Sequence, residues 1–299
     1  MPTSSRFPLY PFMVLLIGGS SLGFTGIFMR MSELNPVASA FWRFALAAPV
    51  LWIWALYESK KDKDAGKWLD LRKVLVLAGL YFAGDMALLH LSFHFTTVAN
   101  ASLMLNMAPV FIAFVMWKIH HTRFAPIFIL GMIIALVGAV GLLGASFSHG
   151  GKGLMGDFLG LLAAIFYAGY QMLIKASRQH YNCARLMAWS TTVTACGLLP
   201  LALLMPGPFW PQDMHALWPL IGLAVVAQLL GQTPIAWASA HLSTALSSII
   251  LLVMPLVGAI AAWILFNERL TPIQIGGGLI LLVGLYMTTR GYYHHNPPP

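Results

Sequence analysis

The stretch Asn267–Gly284, NERLTPIQIGGGLILLVG, repeats the punctuation of His120–Gly138, HHTRFAPIFILGMIIALVG. Pro126 and Pro272, Gly131 and Gly277, and Gly138 and Gly284 each stand 146 positions apart. The register runs without a gap over residues 97–143 and 243–289, adding Ala99/Ala245, Ser102/Ser248, Leu105/Leu251, Pro109/Pro255, Ala113/Ala259, Trp117/Trp263, Arg123/Arg269 and Ile129/Ile275. Leu and Ile coincide by chance in any apolar sequence. Paired prolines, paired glycines, a Trp and an Arg at one offset do not, so the chain reads as a duplication.

The duplicated unit is built for lipid. Of 299 residues 59% are hydrophobic and only 9% charged, with a mean hydropathy of +0.78, whereas a soluble domain carries about 25% charged residues. A spanning helix needs about 20 mostly apolar residues. Ten such runs are present, near 9–29, 36–57, 73–95, 97–117, 125–147, 156–176, 185–205, 216–238, 243–265 and 271–290. Five spans fall in each unit, taken as 1–150 and 151–299. An odd number of spans makes the second unit enter the membrane upside down. The expected fold is an all-α membrane protein of ten transmembrane helices in two inverted five-helix repeats, the plan of many secondary transporters.

Charge agrees with that inversion. With the N-terminus cytoplasmic, 13 of the 17 Lys and Arg fall inside: Arg6, Lys60, Lys61, Lys63, Lys67, Arg72, Lys73, Lys118, Arg123, Lys175, Arg178, Arg185 and Arg290. Four fall outside: Arg30, Arg43, Lys152 and Arg269. This is a positive-inside pattern with both ends cytoplasmic. The net charge of +8 is thereby accounted for by topology, and no basic helical face interleaved with aromatics points to nucleic acid. Arg6 before an apolar run resembles a signal peptide only superficially, since no small-residue cleavage site follows. Cys183 and Cys196, separated by thirteen residues, would sit about 20 Å apart on a helix, too far for a disulfide.

NERLTPIQIGGGLILLVG preceded by SSIILLVMPLVGAIAAWILF resembles the closing motif of the drug/metabolite transporter superfamily, the EamA-like carriers. SLGFTGIFMRM followed by NPVASAFWRFALAA, with Arg43 early in the second span, is similar to that family's beginning. Two departures stand out: Leu22-Gly23 replaces a Trp-Gly pair, and His121-Thr122 replaces the Glu of the first-half turn. The resemblance implies export of metabolites without ATP, and within the superfamily the chain looks most like the aromatic amino-acid exporters. It implies a small-molecule substrate, a bilayer around the chain and no cofactor. The short loops suit a bacterial inner membrane.

Asp85, in YFAGDMALL, is the one acidic residue near the middle of a span. Such a residue costs about 2.5–3.5 kcal/mol on insertion scales, so it faces the bundle interior or water and is by default a functional candidate. It is a candidate for proton coupling or for holding a substrate amine; a structural tie to a neighbouring helix is the plain alternative. Its repeat position is Gly231, in LLGQTPIAW, where Gln232 and Pro234 also interrupt an apolar run. Matched interruptions point to a midplane site. Tyr81 and Asp85, Tyr167 and Gln171, and Gln228 and Gln232 are each four apart and share helix faces, so the six are read as lining a central cavity, against a plain reading as interhelical hydrogen bonds. Pro109 and Pro255 are candidate hinges, expected to kink their helices, against a static bend for packing. Gly19, Gly23, Gly138, Gly141 and Gly144 are read as close-packing positions, Trp117 and Trp263 as interfacial belt residues, and Glu268-Arg269 as a turn-capping pair.

Other chemistries find little support. His90 and His94 form an HxxxH pair, a span away from His120-His121, and no HExxH occurs, so a membrane-embedded metal enzyme is the weakest alternative. GGKGLMG at 150–156 lacks the phosphate-loop spacing. The chain is read as a carrier with no metal and no catalytic residue; a drug or nucleotide-sugar carrier is the alternative within transport.

Overall fold

The computed structural model describes residues 8–59, 73–96, 98–119, 121–143, 151–267 and 271–295. Arg6, the charged 60–72 loop, His120, Gly144 and the Glu268-Arg269 pair lie outside the described residues, as do the side chains of Ala99 and Lys152. Ten helices among the described residues are long and apolar enough to cross a bilayer: α1 Leu9–Met31, α2 Pro36–Ser59, α3 Lys73–Ser92, α4 Ala101–Lys118, α5 Pro126–Leu143, α6 Gly153–Ser177, α7 Cys183–Leu204, α8 Met214–Ala238, α9 Thr244–Phe266 and α10 Pro272–Tyr292. Each matches an apolar run of the sequence.

Polar caps set several helix starts by giving the first free N–H groups an acceptor. Asn35 accepts from Ala38 N at 2.7 Å, Asn182 from Arg185 N at 3.0 Å, Asp213 from Ala216 N at 2.7 Å and Ser243 from Leu246 N at 3.2 Å. The helices turn large apolar side chains outward, among them Ile53, Ile133, Leu204 and Ile264. In water that would be costly; facing lipid it is the expected surface. Trp117 and Trp263 are 58% and 53% exposed near helix ends, as belt residues should be. Cys183 opens α7 and is buried, Cys196 is exposed, and both are free thiols.

The inversion is visible where equivalent helices meet. α5 and α10 form the tightest seam and run antiparallel: Gly131 lies against Thr288, Gly138 against Leu281, and Gly141 against Gly277 and Ile273. The contacts obey the repeat. A side chain at Gly131 would meet the Gly284 carbonyl and Thr288, and one at Gly277 would meet the Gly138 carbonyl and Leu142, which are the same positions with the halves exchanged. α2 and α7 are antiparallel too, with Asn35 Nδ2 donating to Ala202 O and Trp52 Nε1 to Thr192 Oγ1. The other packings come in exchanged pairs: α3 on α6 and α8 on α1; α3 on α7 and α8 on α2; α4 on α6 and α9 on α1. Two non-glycine residues among those described have positive φ, His121 (51°) and Asn267 (54°), and they too occupy one repeat position. The turn geometry is kept although His121-Thr122 departs from the family's residues.

Two expectations about the prolines are corrected. Pro109 and Pro255 do not kink continuous helices. α4 is broken, with helical segments Val98–Leu105 and Ala108–Lys118, and α9 likewise, with Thr244–Ile250 and Val253–Phe266. Each proline lies in the first turn of the second segment, where its missing N–H has no helical acceptor to lose. The breaks are tightened by i→i+3 bonds, Met107 N to Met104 O and Val110 N to Met107 O in one repeat, Leu252 N to Ile249 O and Met254 N to Leu251 O in the other. Pro109→Ala and Pro255→Ala should therefore each cost about 1 kcal/mol or less, a few degrees of melting temperature. A loss beyond about 10 °C for either would mean that the proline itself maintains the break.

The repeats differ at α1, broken at Phe24 where α6 is continuous, and at α8. Where α3 is regular, α8 contains a π-helical stretch, Leu223–Gln232, ending just before Pro234. Pro234 cannot donate to the carbonyl one α-turn back and its ring would collide with it; the wider ladder relieves both. Thr233 covers the end, its N–H and Oγ1 both reaching Gln228 O.

Candidate functional site

The polar centre lies at mid-depth where α2, α3, α6, α7 and α8 meet. Asp85 is fully buried, and neither carboxylate oxygen has a hydrogen-bond partner among the described residues. Its electrostatic neighbours are Arg43 and Tyr167. Gln228, fully buried on the π stretch, accepts from Arg43 Nε at 3.2 Å and donates through Nε2 to Thr191 Oγ1 at 3.0 Å. Gln232, one step along, donates to the Tyr170 hydroxyl at 3.1 Å, while its own carbonyl oxygen is buried without a partner. The Tyr167 hydroxyl and Gln171 Nε2 are close but form no bond of good geometry and are likewise buried.

Five of the six residues expected to line a cavity thus belong to this buried polar region. Tyr81 is set apart: its ring packs on Phe166 at 5.3 Å and against Gly169 in the seam between α3 and α6. All five are buried, Asp85, Gln228 and Gln232 at 0–1% exposure and Gln171 and Tyr167 at 6% and 9%.

Sequence reading missed the centre's cation. Arg43 is counted there among the outer charges, early in the second span, but it lies seven residues into α2 and is 4% exposed. Its Nη2 reaches Ala227 O at 3.4 Å, and the guanidinium lies 5.1 Å from the Phe44 ring and 5.9 Å from the Phe82 ring. Phe82 stacks on Tyr170 at 4.2 Å and 13° and meets Phe44 edge-on at 5.2 Å. The signal was available: an Arg a full two turns inside an apolar helix is an intramembrane charge and calls for a partner. Phe44, Phe82, Tyr170 and Thr191 carried none, being ordinary residues of apolar spans.

His90 is turned back onto its own helix, its Nδ1 bonded to Met86 O, with His94 Nδ1 3.4 Å from His90 O. Among the described residues no group of three or more His, Cys, Asp or Glu is placed to hold a metal. At the Arg123 end, the second segment of α4 packs on the first segment of α9. The reciprocal pairing at the other end, second segment of α9 on first segment of α4, has no comparable contact among the described residues.

Comparison with known proteins agrees with this geometry. The profile of the EamA-like transporter family matches twice, over residues 10–144 and 154–290. An uncharacterized transporter of Archaeoglobus fulgidus is 27% identical over 293 residues, covering 96% of this chain and 98% of its own. A protein of Salmonella typhimurium named "Probable amino-acid metabolite efflux pump" is 28% identical over 171 residues, covering 54% of this chain and 57% of its own. A protein of the same name from Escherichia coli is 25% identical over 170 residues. A solved crystal structure superposes with a TM-score of 0.79 over 94% of this chain and 96% of its own at 14% identity, a likeness of fold. Two family matches, one per repeat, cover nearly all of the ten-helix bundle: the chain belongs to the EamA-like transporter family.

Proposed function

We propose that the chain exports small zwitterionic metabolites, aromatic or bulky apolar amino acids, by alternating access, with Asp85 as the residue on which any proton coupling depends. The observation that carries this reading is the meeting of one unpartnered carboxylate, one guanidinium and a stacked aromatic run at mid-membrane. Those groups suit the two charges and the apolar body of such a cargo. The names of the Salmonella and Escherichia relatives lean the same way. The inverted repeats and the unequal pairing of α4 and α9 at the two ends support alternating access, in which the two pairings would exchange. Tyr167, Gln171, Gln228 and Gln232 face the cargo, and Tyr81 adjusts the α3–α6 seam. The matched breaks near Pro109 and Pro255 are the hinges. Both chain ends are cytoplasmic, in a bacterial inner membrane.

Counterflow in proteoliposomes tests the reading. Vesicles preloaded with unlabelled phenylalanine should accumulate labelled phenylalanine, and tryptophan or methionine but not nucleosides should block it. Block by nucleotide sugars or drugs instead would transfer the chain to that alternative, and flat traces would remove the amino-acid assignment. In the same vesicles Asp85→Asn should lose any response to a pH gradient; a response unchanged from the parent protein would remove Asp85 as the coupling residue.

A further inference from the structure

Asp85 and Arg43 are an acid and a base buried in one neighbourhood that leave each other's bonding unfinished. Both Asp85 oxygens lack a partner among the described residues. Arg43 spends Nε on Gln228 and Nη2 on the Ala227 carbonyl, both on α8. Its Nη1 makes no bond to any described residue, although a guanidinium offers five N–H donors. The arrangement is costly as it stands, since a buried charged group that is not hydrogen-bonded loses its solvation without compensation.

A ligand with its own two charges would complete both groups. Beside them runs a buried aromatic stack of matching kind: Phe44 edge-on to Phe82, Phe82 stacked on Tyr170, and Tyr170 beside Tyr167 at 6.3 Å. These residues come from α2, α3 and α6, with α8 holding the guanidinium in orientation, so the seat is built from both repeats.

We infer that Arg43 and Asp85 are the two poles of an α-amino-acid seat, Arg43 Nη1 taking the carboxylate and Asp85 the ammonium, with the Phe44–Phe82–Tyr170 stack receiving the side chain. This rests on the amino-acid reading above and adds which residue reads which end of the cargo. Gln228 is the positioning residue for Arg43. An α-amino acid lacking either charge leaves one buried pole unanswered and is rejected, while the side chain, read only by stacking and apolar contact, is recognised loosely.

The test is equilibrium binding of labelled phenylalanine to the purified full-length protein, competed by phenethylamine, which lacks the carboxylate, and by 3-phenylpropionate, which lacks the amine. For the parent protein each truncated compound should compete at least about 100-fold more weakly than phenylalanine, the scale on which losing one partner of a buried charge pair is felt. Asp85→Asn should bring phenylalanine and 3-phenylpropionate within about tenfold of each other while phenethylamine stays weak; Arg43→Gln should do the reverse. Arg43→Lys keeps the charge and serves where Arg43→Gln does not fold; it should retain the preference for phenylalanine over phenethylamine in weakened form. Equal competition by either truncated compound in the parent protein overturns the inference and leaves amino-acid transport standing. An Asp85→Asn protein that keeps the parent's selectivity and loses only its dependence on protons or sodium overturns it too, and makes Asp85 an ion site. No phenylalanine binding or counterflow in the folded parent protein removes the amino-acid reading and this inference with it.

Discussion

Gly138→Val should leave almost no folded protein. A Cβ at Gly138 would lie against the Leu281 backbone and 2.8 Å from the Gly277 carbonyl oxygen, so the obstacle is main chain, which no rotamer change relieves. Relief requires α5 and α10 to separate along their length, undoing the mutual seating of Gly131, Gly141, Gly277 and Gly284. Without water inside the bilayer, that seating is itself the attraction, because lipid tails are as apolar as the helices and only close packing distinguishes the two. Overpacking in ordinary cores costs about 1–3 kcal/mol, and a backbone-on-backbone seam stands at or above the top of that range. Size-exclusion yield and melting temperature measure it. Gly276→Ala is the matched control: nothing lies within 4 Å of a Cβ there, and it should behave as the parent protein. Equal losses in both variants would mean that glycine content, rather than this seam, governs stability.

Arg43→Met should be the most damaging change at the polar centre, and Asp85→Asn should partly repair it. Removing the guanidinium takes the partner from Gln228 Oε1 and the Ala227 carbonyl, and strips the buried Asp85 carboxylate of the cation beside it. Breaking a buried pair by deleting one member costs about 3–5 kcal/mol, mostly because the survivor is left uncompensated, whereas replacing both is far milder. The melting temperature of Arg43→Met should fall steeply, and that of Arg43→Met/Asp85→Asn should lie above it. Transport by the single variant should fall at least about 100-fold, with no recovery in the double variant. If the second substitution lowers stability further, the two groups act independently and the electrostatic account of the centre fails.

Much of this protein is legible without coordinates. Duplication, span count and inversion follow from sequence because a bilayer permits so few solutions: backbone groups must bond within a helix, the helix must have a set length, and an odd number of spans reverses the chain. The offset of 146 accordingly reappears in space, in the exchanged contacts of Gly131 and Gly277 and in the paired left-handed residues His121 and Asn267. Asp85 could be singled out because an acid in the middle of an apolar span is rare for a physical reason.

Its surroundings could not. Arg43 looks like an outer topology charge when counted by its closeness to a helix end; that it turns inward to Gln228 depends on how α2 packs on α8. Tyr81 shares a face with Asp85 by spacing, yet the absence of a side chain at Gly169 draws its ring into the α3–α6 seam. Pro109 and Pro255 announce irregularity, but whether a proline kinks a helix or begins a new segment depends on where the freed carbonyls find donors, here through i→i+3 bonds at the breaks. Periodicity along one chain determined the helices, their number and their opposed directions, because those are set by local bonding and by the membrane. Which polar groups meet at the centre was decided only by the tertiary structure, since burial and partnership are properties of facing surfaces and no single helix carries them.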